Sequence, residues 1–407
     1  KMLVASYDND GAYRWSHAGG GASGPDKLRD NAVDTNGNTV AVGDSNGFYP
    51  ALIVKFASDG THQWSKVLSD GSANTWIGLA IATDSSDNIY VAGRTQAQSS
   101  NSNDLPFVAK LDSSGAVQWA RKLDHGGQQS QPEGMQLDSN GDIIISGRIH
   151  EQITGGGYSS GMVMKLSGTD GSMIWNKIYD DPTDSNGYHN DQFQNCAITP
   201  EDDIVTCGWH NYNYQNIYYG IVMKVSGTDG SIIWQRRVLE DDGTKKIAVD
   251  GNGQIYVFTD SDVLFVYASD GTLEQEWKIT ASGASDTYNL EDIHIDKNGN
   301  VVIAGFWYTS PVSPFIAKLP ATIQAGTSGD LVITAQTKGD TAGGLTIATF
   351  TSYTSNTMSG VTTSDANNLV INSISQTATG PNTVTGVAPP ASDAPTEAPS
   401  AAPTAWS

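Results

Sequence analysis

Positive charge is what this sequence has least of. Lys and Arg number 22 against 44 Asp and Glu in 407 residues, a formal net charge of −22. Such a chain repels phosphate backbones and anionic lipid headgroups, so nucleic acid and acidic membrane surfaces are not expected as partners. Charge of either sign is thin, at 16% of residues, where about a quarter is usual. No apolar run reaches the roughly 18 residues that a membrane-spanning helix needs. Cysteine is nearly absent: Cys196 and Cys207 are the only two, too few to hold zinc by themselves. The seven histidines show no H-E-x-x-H spacing, and neither a G-x-S-x-G elbow nor a P-loop occurs. No catalytic residue, cofactor site or metal site is nominated, and the chain is expected not to be an enzyme.

Glycine is plentiful, at 44 residues, and it sits inside a repeated phrase. An apolar run, a small-residue turn and a tryptophan recur as ALIVKFASDGTHQW, PFVAKLDSSGAVQW, GMVMKLSGTDGSMIW and GIVMKVSGTDGSIIW. The tryptophans are Trp15, Trp64, Trp119, Trp175, Trp234 and Trp277, spaced by 49, 55, 56, 59 and 43 residues. A period near 50 marks an array of supersecondary units. Before each of the last five Trp phrases lies another, such as NAVDTNGNTVAVG or MQLDSNGDIIISG, and a sixth copy, IHIDKNGNVVIAG, follows Trp277. Each reads strand, Asp/Asn/Gly turn, β-branched strand, which is a hairpin signal. The Trp phrase is a second hairpin. One unit is then four antiparallel strands, a-b-c-d, and that is a propeller blade.

Residues 2–16 supply only strands c and d, and residues 290–319 only a, b and c. The expected fold is all-β, a seven-bladed propeller over 1–320, with strands after 325 completing the split blade. A six-bladed ring is the alternative. Because the chain opens within a repeat, further residues are expected upstream of Lys1. The six tryptophans read as packing elements of each blade's outer hairpin. Cys196 and Cys207 lie in NCAITPEDDIVTC. A turn centred between Glu201 and Asp202 sets them opposite each other, within disulfide range. A bridge would imply an oxidising compartment; two buried thiols are the alternative.

Residues 84–122, DSSDNIYVAGRT through DLPFVAKLDSSGAVQWARKL, resemble the SBBP-type β-propeller repeat, a family of secreted and surface proteins. The resemblance covers roughly 1–320 and implies the propeller, with an extracellular or cell-surface location; it says little about activity. The Gly-x-x-x-Trp ends resemble the quinoprotein propeller repeat more loosely. Here the preceding strand carries lysine (Lys55, Lys110, Lys165, Lys224, Lys318).

The turns Asp34-Asn36-Asn38, Asp138-Asn140-Asp142, Asp250-Asn252 and Asp296-Asn298-Asn300 resemble the start of a calcium loop, without its distal glutamate. Their recurrence in one hairpin favours a backbone role, with Ca²⁺ as the alternative. The b–c and d–a loops, on the face opposite these turns, are rich in aromatics. Trp209, Tyr212, Tyr214, Tyr218, Tyr219, Trp307 and Tyr308 are the candidate binding surface there, for sugar rings or a protein neighbour.

Residues 321–385 form a Thr/Ser-rich extension with strand-like stretches DLVITAQT, GLTIATFTSY and NLVINSISQTAT. They are expected to close the ring, to form an appended sheet, or to pair with a neighbour. Residues 386–407 are a Pro/Ala/Ser/Thr tract that cannot bury a core. It resembles the stalks of algal and protist surface proteins, and its Ser and Thr beside Pro are plausible O-glycan acceptors. The expected role is a structural or adhesion subunit of an extracellular assembly or filament, self-associating through the extension. A glycan-binding lectin is the alternative, and an enzyme with a channel site the third.

Overall fold

A computed structural model describes most of residues 2–319 except the tips of many b–c and d–a loops, then Ile323 and the backbone of short strands up to 384. An N-terminal hairpin, β1 (Met2–Tyr7) and β2 (Tyr13–Gly20), precedes the blades. Blade 1 is β3 (Lys27–Val33), β4 (Thr39–Ser45), β5 (Tyr49–Phe56) and β6 (His62–Ser69). Blade 2 is β7 (Thr75–Thr83), β8 (Ile89–Gln96), β9 (Leu105–Leu111) and β10 (Val117–Asp124). Blade 3 is β11 (Ser130–Leu137), β12 (Ile143–Ile153), β13 (Gly156–Leu166) and β14 (Met173–Asp180). Blade 4 is β15 (His189–Ile198), β16 (Ile204–Tyr212), β17 (Ile217–Val225) and β18 (Ile232–Val238). Blade 5 is β19 (Thr244–Val249), β20 (Ile255–Thr259), β21 (Val263–Tyr267) and β22 (Leu273–Ala281). Blade 6 has β23 (Tyr288–Ile295), β24 (Val301–Trp307) and β25 (Ser313–Leu319).

The ring therefore has six blades, not seven. Six inner strands, β3, β7, β11, β15, β19 and β23, line one central channel. The expectation of seven failed because the N-terminal hairpin was given an a–b pair of its own. It takes an outer position beside blade 1 instead: Met2, Val4 and Trp15 pack on Leu52, Val54 and Phe56. The core is a series of layers between neighbouring blades. That is how two-sided, nearly uncharged strands bury both faces.

The repeat tryptophans stand at these junctions. Trp15, Trp64, Trp119, Trp175 and Trp234 lie against Gly60, Gly115, Gly171, Gly230 and Gly271, the c–d turn glycines of the next blade round. Trp15, Trp175 and Trp234 also donate their indole N–H to carbonyls of those turns. Trp277 packs on the core between blades 5 and 6.

The strands after 325 do not give the N-terminal hairpin an a–b pair, and among the described residues they pair with blade edges, the last of them as a parallel fourth strand on blade 6. They are β26 (Gly326–Ser328), β27 (Leu331–Ala335), β28 (Asp340–Ala342), β29 (Thr346–Ala348), β30 (Thr354–Thr357), β31 (Thr362–Asp365), β32 (Val370–Ser373) and β33 (Thr383–Val384). From β27 to β32, each adds antiparallel to an outermost d strand: β22, β18, β14, β10, β6 and β2, in that order. Having run forward through the blades, the chain returns round their rim in reverse.

The expected disulfide is also corrected. Both cysteines are free and buried. The turn at Thr199–Asp203 puts Cys196 opposite Thr206 and Cys207 opposite Asn195. Residues directly opposite share a face and successive ones alternate, so the two thiols point to opposite faces. Cys196 enters the layer toward blade 3 and Cys207 the layer toward blade 5. Burial pushes the Cys196 thiol up to about 11 and the Cys207 thiol higher still, which keeps both protonated and inert.

Candidate functional site: the mouth of the central channel

Every a strand bulges at the same place. The skipped residues are Arg29, Leu79, Glu133, Gln194, Lys245 and Glu291. A bulge breaks the alternation of side chains and re-aims them. The result here is a cluster of charge around a cavity of about 440 Å³ lined by Arg29, Asp30, Glu133, Lys246, Asp292 and His294 among others. The b strands come close at the bulge. A Cβ on Gly147 would lie 2.1 Å from the carbonyl oxygen of Gln131, so glycine is required there.

The charged groups are held by a mixture of ion pairs and neutral hydrogen-bond partners. Arg29 Nε donates to Asp44 Oδ1 at 2.8 Å. Arg148 Nη1 and Nη2 donate to Gln192 Oε1 and Gln131 Oε1 at 2.9 and 3.2 Å. Gln192 Nε2 donates to Glu133 Oε1 at 3.2 Å. Lys245 Nζ donates to Leu290 O at 2.9 Å and Asn289 Oδ1 at 3.1 Å. Lys246 Nζ stands 3.9 Å from Asp292 Oδ1. Burial raises the Glu133 carboxyl against the pull of Arg148, Arg94, Lys246 and Arg29. Asp30 accepts from Ile81 N at 2.9 Å and Asn31 N at 2.8 Å. Desolvation deep in the channel nevertheless pushes its carboxyl up to about 6.

A carboxyl whose folded value exceeds its unfolded value near 4 favours the native state most at low pH, and that contribution fades as pH rises through about 6. The full shift would be worth about 3 kcal/mol. Asp30 still touches channel water, which reduces this to about 1–2 kcal/mol. Asp30→Asn is therefore expected to flatten the fall in stability between pH 4 and 7 by that amount, measured by urea unfolding. The cost of an amide facing Asn31 N–H is the same at every pH and leaves the slope alone. Parallel profiles for the two proteins would refute this reading.

The aromatic face is only partly within the described residues. Trp209 is half-buried, and its Cβ would lie 3.4 Å from a Cβ on Gly243. Tyr219 is half-buried, with the Arg237 guanidinium 3.2 Å from its ring centre. Tyr212 and Tyr218 lie in the b–c hairpin of blade 4 and Trp307 at the end of β24 by backbone; their side chains lie outside the described residues, as do Tyr214 and Tyr308 entirely.

The Asp turns on the opposite face have a backbone account. Asp34 Oδ1 accepts from Asn36 N and Asn38 N at 3.0 and 2.9 Å, and Oδ2 from Asn38 Nδ2 at 2.9 Å. The repeat lysine completes the arrangement: Lys55 Nζ lies 2.8 Å from Asp34 Oδ2. Lys110, Lys165, Lys224 and Lys318 reach Asp84, Asp138, Asp203 and Asp296 in their own blades. Burial alone would raise the Asp34 carboxyl, but Lys55 and Asn38 hold it below the usual range. No group of three or more His, Cys, Asp or Glu placed to hold a metal ion occurs among the described residues.

Residues 63–106 match the SBBP beta-propeller repeat. That span runs from the outer strand of blade 1 into the third strand of blade 2, so the SBBP repeat straddles a blade junction. No curated protein matches the sequence. Among solved structures, BamB from Moraxella catarrhalis is similar at 13% identity and TM-score 0.42, over 75% of this chain and 96% of that one. The Dos1 propeller is similar at 10% identity and TM-score 0.47, over 77% and 73%. Quinohemoprotein alcohol dehydrogenase from Comamonas testosteroni is similar at 10% identity and TM-score 0.44, over 80% and 59%. The SBBP match and the strand topology give an all-β propeller.

The charged channel residues stand outside every motif that the sequence presents. The signal was available at one position, just before the inner apolar run of four of the six blades: RDNAV, EGMQL, KKIAV and EDIHI carry charge there.

Proposed function

We propose that the chain is a non-enzymatic structural or adhesion subunit of an extracellular or cell-surface assembly, self-associating through its C-terminal extension. The observation that carries this is the rim pairing. The extension adds strands of three to five residues to the outer blade edges from β27 to β32. Backbone ladders of this kind are indifferent to which copy supplies the strand, so the same registers serve within one subunit or between two. The buried thiols give no support for an oxidising compartment. The extracellular placement rests on the acidic balance and on the Pro/Ala/Ser/Thr tract at 386–407, where O-glycans are proposed.

Two observations favour a scaffold over the other readings. The basic groups Arg29, Arg148 and Lys245 at the channel mouth each have hydrogen-bond partners within the ring, and the Tyr219 ring, one candidate platform for a sugar, is covered by Arg237. The test is mass photometry and negative-stain imaging of the whole chain across a concentration series. Multimers or filaments that grow with concentration are the expected result. A monomer throughout, together with binding on a glycan array, would replace this reading with the lectin.

A further inference from the structure

The ring has one junction unlike the others. Buried clusters span the hairpin–blade 1 junction and every junction from blade 1 round to blade 6. Among the described residues none spans blade 6 and the N-terminal hairpin. No ladder joins them either: β1 ends its own sheet, β1-β2-β32, while β25 has β24 on one side and β33 on the other. In a propeller this is where a blade shared between the two ends of the chain would fasten the ring.

The returning extension crosses that seam. β32 pairs with β2 on one side, Ala18 opposite Asn372 and Gly19 opposite Ile371. β33 begins ten positions after β32 ends and pairs parallel with β25 on the other side, at Ile316 and Ala317. A ten-residue separation can span at most about 33–36 Å, which allows both pairings within one chain. The approach is regular: β29, β30, β31 and β32 begin at 346, 354, 362 and 370, one every eight residues, one for each successive sheet.

Charge fits the same arrangement. The outer strands carry Lys66, Arg121, Lys122, Lys177, Arg236, Arg237 and Lys278 just beyond the repeat tryptophan, a sizeable share of the chain's few cations. Lysine and arginine on an exposed edge discourage indiscriminate strand pairing. Residues 321–385 hold one cation, Lys338, and three acids, Asp330, Asp340 and Asp365. Asp365 stands opposite Lys66 in register, and Asp340 opposite Val238 beside Arg237.

We propose that the extension is the clasp of the ring: strands β27 to β32 of the same chain cap the cationic outer edges, and β32 on β2 together with β33 on β25 fasten the N-terminal hairpin to blade 6. This goes beyond the assembly reading and does not depend on it, since a clasp acts within a single subunit. Two experiments on the full chain test it. The first replaces a facing pair, Ala18→Cys with Asn372→Cys; opposed positions on antiparallel strands fall within disulfide range. Mild oxidation is expected to give an intrachain bond in a monomer, found by peptide mapping. A bond formed only between chains would overturn the clasp while leaving self-association standing, and no bond at all would overturn the clasp outright. The second, Ile371→Pro, blocks the β2–β32 ladder. Amide exchange in β1, β2 and β25 is expected to quicken on the order of tenfold, with β7 to β18 unchanged. Unaltered exchange at β1, β2 and β25 would likewise overturn the clasp.

Discussion

Replacing Gly271 by alanine is expected to cost about 2–4 kcal/mol, and the same change at Gly141 only about 1 kcal/mol. Both glycines sit at positive φ, +81° and +77°. An L side chain is disfavoured there by about 1–2 kcal/mol. They differ in surroundings. A Cβ on Gly141 would meet nothing within 4 Å, whereas one on Gly271 would meet Trp234 at 2.7 Å, with the next two nearest atoms also in that ring. Trp234 cannot withdraw cheaply: it is 8% exposed, belongs to the core between blades 4 and 5, and donates Nε1 to Ser269 O at 3.0 Å. Overpacking of this kind adds about 1–3 kcal/mol. Urea unfolding of the two variants measures the difference. Equal costs would mean that the Trp–Gly contact does not hold neighbouring blades together.

That contact was half legible in the sequence. The phrase placed each tryptophan after a hairpin turn, and a packing role followed. Its partner glycine lies in the next repeat, some 37–55 residues on, and one phrase read alone cannot reveal a junction between two. Blade number differs from the expected seven for a related reason. The N-terminal hairpin reads as half of a further blade, but only the six a–b phrases make inner strands, and a ring closes on its inner strands. The cysteine register was recoverable too. In blade 1 Asp34 N donates to Asn38 O and Gly37 N to Asp34 O; Thr199, Asp202 and Asp203 repeat the pattern. Aligning NCAITPEDDIVTC with NAVDTNGNTVAVG centres the turn on Glu201 and separates the thiols. Asp202 hides the likeness, since it takes positive φ, at 64°, where blade 1 has glycine. Its carboxylate accepts Ser139 N at 3.0 Å, from the preceding blade's turn, which supports a conformation that a non-glycine residue seldom adopts. Asp87 does the same for Thr35 N at 2.9 Å. The rim pairing lay beyond reach, because Thr/Ser alternation specifies a half-exposed strand and not its neighbour.

Lys55→Met is expected to destabilise the chain by about 3 kcal/mol at pH 7. The Lys55 and Asp34 side chains are 4% and 1% exposed. Removing one partner of a buried pair costs about 3–5 kcal/mol, because the other charge stays buried without compensation. Asp34 keeps its hydrogen bonds from Asn36 and Asn38, which puts the loss at the low end. The pH dependence separates this cause from lost packing. In the wild type the Asp34 carboxyl is held low, so the pair's contribution is complete above about pH 4 and disappears as pH falls through the folded value. In the variant burial acts on Asp34 without the lysine, the carboxyl takes up a proton more readily, and the gap between the two proteins narrows toward pH 3. Blade 5 shows the alternative chemistry, with Val266 in the lysine position beside Tyr256. Its Asp250 keeps the turn bonds to Asn252 N and Gln254 N, both at 2.9 Å. The double change Asp34→Asn with Lys55→Met removes both charges, and it is expected to recover most of the loss. If the double variant is as unstable as the single one, the lysine serves by packing its stem, and the repeated Lys–Asp pair is not what fastens the a–b turns to the blades.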